Sequence, residues 1–244
     1  RLALGGSYLL ANRHEEAARL LAEAGAAFAE CSDTFGESAT RLWQCLLWQV
    51  TGDAVRLERS LDELLRAARD HGYDWLFLHN TLLGPPEPRR VIPLLLHARL
   101  RERWRPYVGS LLHRLDLDHV ELHPGYQLRV QTLGAFRVWR GAEEIAPAEW
   151  RRDKARQLFQ LLLTRRKRLL ERDQIVELLW PGLPPDVAER DFKVALSTLY
   201  RVLEPALPPR APSAYILREG TLYGLRAGAD IELDTERFEE ALLA

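Results

Sequence analysis

Through residues 1–115 the apolar positions fall three and four apart, the spacing of amphipathic helices. Over His14–Cys31, the residues Ala17, Leu20, Leu21, Ala24, Ala27 and Phe28 share one face of a predicted helix. Further helices are predicted over Glu37–Val50, Ala54–Asp70, Trp75–Leu83, Arg90–Glu102 and Trp104–Leu115. Breaks at Asp33 to Gly36, at Thr51-Gly52-Asp53 and at Gly72 leave only short turns between them, as in stacked helical hairpins. The GPPEP segment, Gly84 to Pro88, interrupts the series, while Pro93 and Pro106 fall near helix starts, where proline is tolerated.

The pattern changes after residue 115. Asp116–Gln127 carries no stripe and reads as an interdomain linker. From Leu128 the period drops to two, with turns at Leu133-Gly134 and Arg140-Gly141, which predicts a small antiparallel sheet. Trp150–Leu203 then reads as three helices, and Ala214–Leu225 as a hairpin turning at Glu219-Gly220. In the third helix, over Asp186–Leu203, Phe192, Leu196, Leu199 and Leu203 form the inward stripe. Sheet, three helices and terminal hairpin together have the layout of a winged helix.

Composition sharpens this only locally. The 244 residues carry a net charge of −1, so the chain as a whole exerts no pull on nucleic acid and any such role must come from local charge. Lysine occurs only at Lys154, Lys167 and Lys193, all inside the three-helix stretch. The two cysteines, Cys31 and Cys45, have neither metal-binding spacing nor a disulfide framework, which fits a reducing cytoplasm. No membrane span or signal peptide is predicted. The absence of methionine and the start inside an apparent helix read as those of an excised fragment.

Two resemblances follow. Ala11–Ala17 (ANRHEEA) with the two helices after it resembles tetratricopeptide-like repeats. WRRDKARQLFQLLL, LLERDQIVELLWPGLPP, ERDFKVALSTLYRVLEP and the terminal YILREGTLYGL resemble the DNA-binding domain of the antibiotic-regulatory-protein and bacterial-transcriptional-activator-domain regulators, relatives of OmpR-type output domains. The resemblance implies a third helix in the major groove of double-stranded DNA and a hairpin near the adjacent minor groove. It also implies RNA polymerase as partner and pairing as a homodimer on DNA. Ile231-Glu232-Leu233-Asp234 with Phe238 resembles the start of the family's helical activator domain.

The expected chain is therefore α+β: an all-α helical-hairpin solenoid over 1–115, a linker over 116–127, an OmpR-type winged helix over 128–233 and the first turns of an activator domain over 234–244. Base contacts are expected from Arg190, Lys193, Val194, Ser197, Thr198 and Arg201, since arginine, lysine and hydroxyls match base edges in the major groove. Phosphate or wing contacts are expected from Arg151, Arg152, Lys154, Arg172, Arg218 and Thr221. A solvated helix face and a plain basic surface would give the same two sets.

Thr164-Arg165-Arg166-Lys167-Arg168 admits a helix-dipole role or a peripheral DNA role. Asp186, Glu189 and Asp191 at the third helix start suit its dipole but would interrupt a positive band running from Arg151 through Lys193 to Thr221. His119 and His123 with Asp116 and Asp118 are the one candidate metal set, and linker chance explains them better. Trp43, Trp48, Trp75 and Trp104 read as helix packing before a ligand or partner groove. No phosphate loop or nucleophile motif is present, so neither catalysis nor a cofactor is expected. The reading is a cytoplasmic transcription regulator whose helical domain takes a protein or small-molecule effector. The alternative is an interaction scaffold whose winged helix does not bind DNA.

Overall fold

The computed structural model describes residues 1–166 and 168–243, and divides into two compact units, Arg1–Asp118 and His119–Ala244. The chain is α+β: the first unit is helical, and all the described strands lie in the second.

In the first unit, helices α1 (Leu2–Leu10), α2 (His14–Glu30), α3 (Thr34–Thr51) and α4 (Ala54–His71) each pack on their chain neighbour. Their ends follow from the sequence. Asp33 and Asp53 cap α3 and α4 by accepting from Gly36 N at 2.9 Å and Arg56 N at 3.0 Å. Gly52 and Gly72 close the same helices at φ 73° and 70°, a left-handed conformation that favours glycine. The apolar stripes meet in a core around Leu21, Leu42, Leu47, Leu61, Leu64 and Leu65, all fully buried.

The remaining helices are shorter than their patterns predict: α5 (Trp75–Leu78), α6 (Ile92–Arg99) and α7 (Arg105–Arg114), with a 3-10 turn at Pro88–Val91 before α6. After α5 the chain turns extended at His79, and the Leu83 carbonyl accepts from Trp43 Nε1 at 2.8 Å. Trp104 likewise donates to Asp62 Oδ1 at 2.7 Å and is buried, so both indoles are packing residues; Trp75 is half-exposed, stacked 4.8 Å from Phe35.

The second unit holds two sheets. Strands β1 (Leu128–Gln131), β2 (Arg137–Arg140), β3 (Glu143–Glu144) and β7 (Ile231–Leu233) form one, in the order β3-β2-β1-β7. The β1–β2 pairing sets Val130 opposite Val138, and β7 runs parallel to β1 with Leu233 opposite Val130. Alternate residues Leu128, Val130, Val138 and Leu233 therefore face the core.

The second sheet, in the order β4-β6-β5, combines β4 (Leu170–Glu171) with the hairpin β5 (Ile216–Glu219) and β6 (Leu222–Leu225). Helix α8 (Asp153–Thr164) precedes β4 in sequence, α9 (Arg172–Leu179) and α10 (Pro185–Leu203) come between β4 and β5, and α11 (Asp234–Leu243) follows β7. Among the described residues no helix is long and apolar enough to cross a membrane.

The expected linker is only partly one. From His119 onward it belongs to the second unit, and two side chains explain why. His123 accepts from Gly125 N at its Nδ1, which leaves the proton on Nε2 to donate to Asp230 Oδ2 at 3.1 Å. Tyr126 donates to the Leu203 carbonyl at 2.8 Å and its own carbonyl accepts from Tyr215 Oη. His123 thus has a buried carboxylate partner from 107 residues away.

Candidate nucleic-acid interface

Helix α10 starts where proline can start one: Pro185 is its first residue, with Asp186 in the first turn. Phe192, Leu196, Leu199 and Leu203 are buried as their spacing predicts, and Phe192 sits edge-to-face between Trp180 (6.3 Å) and Tyr223 (5.1 Å). That contact fixes α10 against both α9 and the hairpin.

The opposite stripe, at steps of three and four, is Arg190, Lys193, Ser197 and Arg201, all exposed. Two of the expected base-facing residues do not belong to it. Thr198 is only 4% exposed, because one helical step of about 100° from Ser197 turns it onto the side of Ala195 and Val202. Val194 is half-buried for the same reason.

Charge along this stripe is uneven. Glu189 reaches Lys193 Nζ at 2.9 Å and Arg172 Nη1 at 3.4 Å, while Arg172 Nε also meets Asp173 at 3.1 Å. The Lys193 hydrogen bond, seconded by Arg172, holds the Glu189 carboxyl below its ordinary range. Arg190 pairs with Asp191 at 3.5 Å. The positive band expected from Arg151 to Thr221 is therefore interrupted at Glu189.

The remaining expected phosphate contacts separate into two groups. Arg151, Arg152, Arg218 and Thr221 are exposed, but Lys154 is turned inward: its ammonium donates to the Leu179 carbonyl and to Gln157 Oε1 (3.0 Å) and lies 5.7 Å from the Trp180 ring centroid. With those partners it fastens α8 to the end of α9, a structural role in place of the phosphate contact. In the basic run, Arg166 binds Glu236 at 2.7 Å and Glu239 at 3.3 Å and so holds α11; Arg165 and Arg168 are exposed, and Lys167 lies outside the described residues.

The hairpin is built against α10 and β4. Leu170 pairs with Tyr223, and Arg172 N donates to the Thr221 carbonyl at 2.9 Å, so the start of α9 is tied to the hairpin turn. At Gly224 a Cβ would lie 2.5 Å from a Leu169 methyl and 3.3 Å from the Arg168 carbonyl, so a side chain at this strand position requires the Leu169 methyl to move.

Between α10 and the hairpin runs a groove of about 570 Å³. Lys193, Ser197 and Arg201 line one side, Arg172, Arg218 and Tyr223 the other, and the loop 204–213 closes it. Thus four of the expected contact residues on α10 and the hairpin, together with Arg172, share one cavity; Arg151, Arg152, Lys154 and Thr221 do not line it. The sequence reading missed the loop's contribution, Arg210, and also Arg226 at the foot of the hairpin. The signal for Arg210 is its place among Pro208, Pro209 and Pro212, which hold the backbone around it; Arg226 carries no such local signal.

Glu204 anchors that loop. It is 4% exposed and accepts from Ser213 Oγ and from Ala214 N at 2.9 Å, while Ser213 Oγ in turn accepts from Tyr215 N and Ile216 N. Burial raises the Glu204 carboxyl pKa above its usual value despite these bonds. Comparisons with protein families, with curated proteins and with solved structures find no match to this chain.

Proposed function

We propose that the chain is a sequence-specific DNA-binding transcription regulator in which residues 128–233 act as an OmpR-type winged helix. Its resemblance to the antibiotic-regulatory-protein and bacterial-transcriptional-activator-domain regulators supports this, with contact to RNA polymerase and pairing on DNA as the corresponding partners. The observation that carries the reading is that the polar stripe of α10 and the hairpin β5–β6 open into the same cation-lined groove. A helix with a buried apolar back and a cationic, hydroxyl-bearing front is dimensioned for the major groove, and an adjacent hairpin extends the contact. The first unit, a stack of short-turned helices, serves as a solenoid for a protein or small-molecule effector.

The test is a fluorescence-anisotropy titration of the full chain against a pool of genomic duplexes, with selection of the bound sequences at two salt concentrations. One enriched motif is expected, with affinity falling as salt rises. Lys193→Ala is expected to weaken binding to that motif by about 1–3 kcal/mol. Absence of binding at low salt by the folded chain overturns the reading. The interaction scaffold then replaces it, a reading that the Glu189 interruption favours.

A further inference from the structure

The cations around α10 fall into two electrostatic classes. Arg190, Lys193 and Arg172 each have a carboxylate within 4 Å. Arg201, Arg210, Arg218 and Arg226, in contrast, form no ion pair among the described residues. Their hydrogen bonds are to backbone carbonyls: Arg201 to Ser197 at 3.4 Å, Arg218 to Gly220 at 3.3 Å and Arg226 to Ser213 at 2.9 Å. All four line the α10–hairpin groove, whose one acidic lining residue, Glu204, has both oxygens engaged by Ser213 and Ala214 and attracts Arg226 without forming an ion pair with it. Four like charges around one cavity repel each other, and an anion in the cavity relieves that repulsion.

We infer that this groove is a seat for the phosphodiester backbone of DNA, with the proline-rich loop 204–213 as a third contact element presenting Arg210. The inference rests on the DNA-binding reading and gives it a specific geometry. Neighbouring major and minor grooves of a duplex are separated by a single phosphodiester strand. If α10 lies in one and the hairpin turn in the other, that strand passes over the cavity between them. Arg201 then contacts phosphate, not a base, and base reading is left to Arg190, Lys193 and Ser197.

The loop is built to hold its arginine in place. Four prolines, Pro205, Pro208, Pro209 and Pro212, fix much of its backbone, Arg210 sits at φ 68°, and the Glu204–Ser213 bonds with Arg226 clamp its far end. An arginine held in advance loses less freedom on binding than one on a mobile arm. Phosphate contacts carry no sequence information, so the groove adds affinity without preference.

The experiment compares the full wild-type chain with Arg210→Ala, Arg210→Lys, Arg218→Ala and Lys193→Ala. Each is titrated with a random-sequence duplex and with the selected motif over a salt series, and separately with inorganic tripolyphosphate. Arg210→Ala and Arg218→Ala are expected to lower affinity for both duplexes by the same factor, severalfold, and to reduce the slope of log affinity against log salt by about 0.9 per lost phosphate contact. Arg210→Lys restores most of the loss, and Lys193→Ala lowers the preference for the motif. Arg210 is exposed, so its variants fold as the wild type does; Arg218 provides an independent second position.

Unchanged affinity and slope in both alanine variants, alongside a loss in Lys193→Ala, overturns the inference while the DNA reading stands. No duplex binding by the wild type removes both. Tripolyphosphate binding that depends on Arg210, without duplex binding, overturns it in favour of a free polyphosphate ligand.

Discussion

The outer face of α10 and the groove beside it both carry cations and differ in what surrounds them. On the helix face, Glu189 and Asp191 lie within ion-pair reach of Lys193 and Arg190, so charge is matched before any ligand arrives. In the groove Arg201, Arg218 and Arg226 meet carbonyl oxygens beside one buried, fully bonded carboxylate, while Arg172 and Lys193, which also line it, keep their pairing with Glu189. Under the DNA-binding reading the first region suits discrimination: its cations exchange one partner for another, and only a well-placed base acceptor compensates. The second suits affinity, because any phosphate improves on the unliganded state. Counting basic residues in the sequence conceals this difference.

The largest expected effect removes the element that keeps the two regions side by side. Phe192 packs edge-to-face on both Trp180 and Tyr223, so it holds α10 to α9 and to the hairpin at once. Phe192→Ala is expected to cost about 3–5 kcal/mol of stability, read by chemical denaturation, with duplex binding lost in parallel. A loss below about 1 kcal/mol would mean that the helix and the hairpin are held together by other contacts.

How much of this was legible in the sequence depends on the range over which each feature is determined. The buried stripe of α10 was legible because Phe192, Leu196, Leu199 and Leu203 repeat within one helix. Thr198 was misplaced by counting residue types along the face instead of angles around it. Strands β4 and β7, two and three residues long, have too few positions to show a period, and their pairings with β6 and β1 are made by distant partners. The same is true of His119–Gln127, whose place in the second unit depends on Asp230 and Leu203. For the candidate site, residue type indicated Lys193 and Arg218 but could not show that Lys154 turns inward or that Glu189 lies between Lys193 and Arg172.

A second prediction tests the groove side alone. Because burial raises the Glu204 carboxyl above its ordinary value, the folded chain retains a proton that the unfolded chain has already lost. Over that window, from the ordinary carboxylate value near 4.5 up to the folded value, stability falls as pH rises. Glu204→Gln removes the step. It also leaves only one acceptor for Ser213 and Ala214, which costs about 1 kcal/mol at every pH. The expected outcome is a uniformly lower Tm whose pH profile is flatter than that of the wild type across this window. Identical profiles would show that Glu204 does not titrate there and that its role in the loop is that of a hydrogen-bond acceptor alone.

The smallest effect bears on the helix face. Glu189→Gln removes the carboxylate that Lys193 and Arg172 share, while its half-exposed position keeps any change in stability small. If the matched charges restrain non-specific binding, the variant should hold a random-sequence duplex severalfold tighter at low salt, with a steeper salt dependence, by about 0.9 for each cation that then engages a phosphate. Its preference for the selected motif should fall, since the carboxylate no longer penalises wrong sequences. Unchanged affinity would place the first half of α10 outside the interface and leave the arginine groove as the contact surface. Weaker binding would carry a different meaning: Glu189 would then orient Lys193 toward its base, and the two regions would differ in geometry more than in charge.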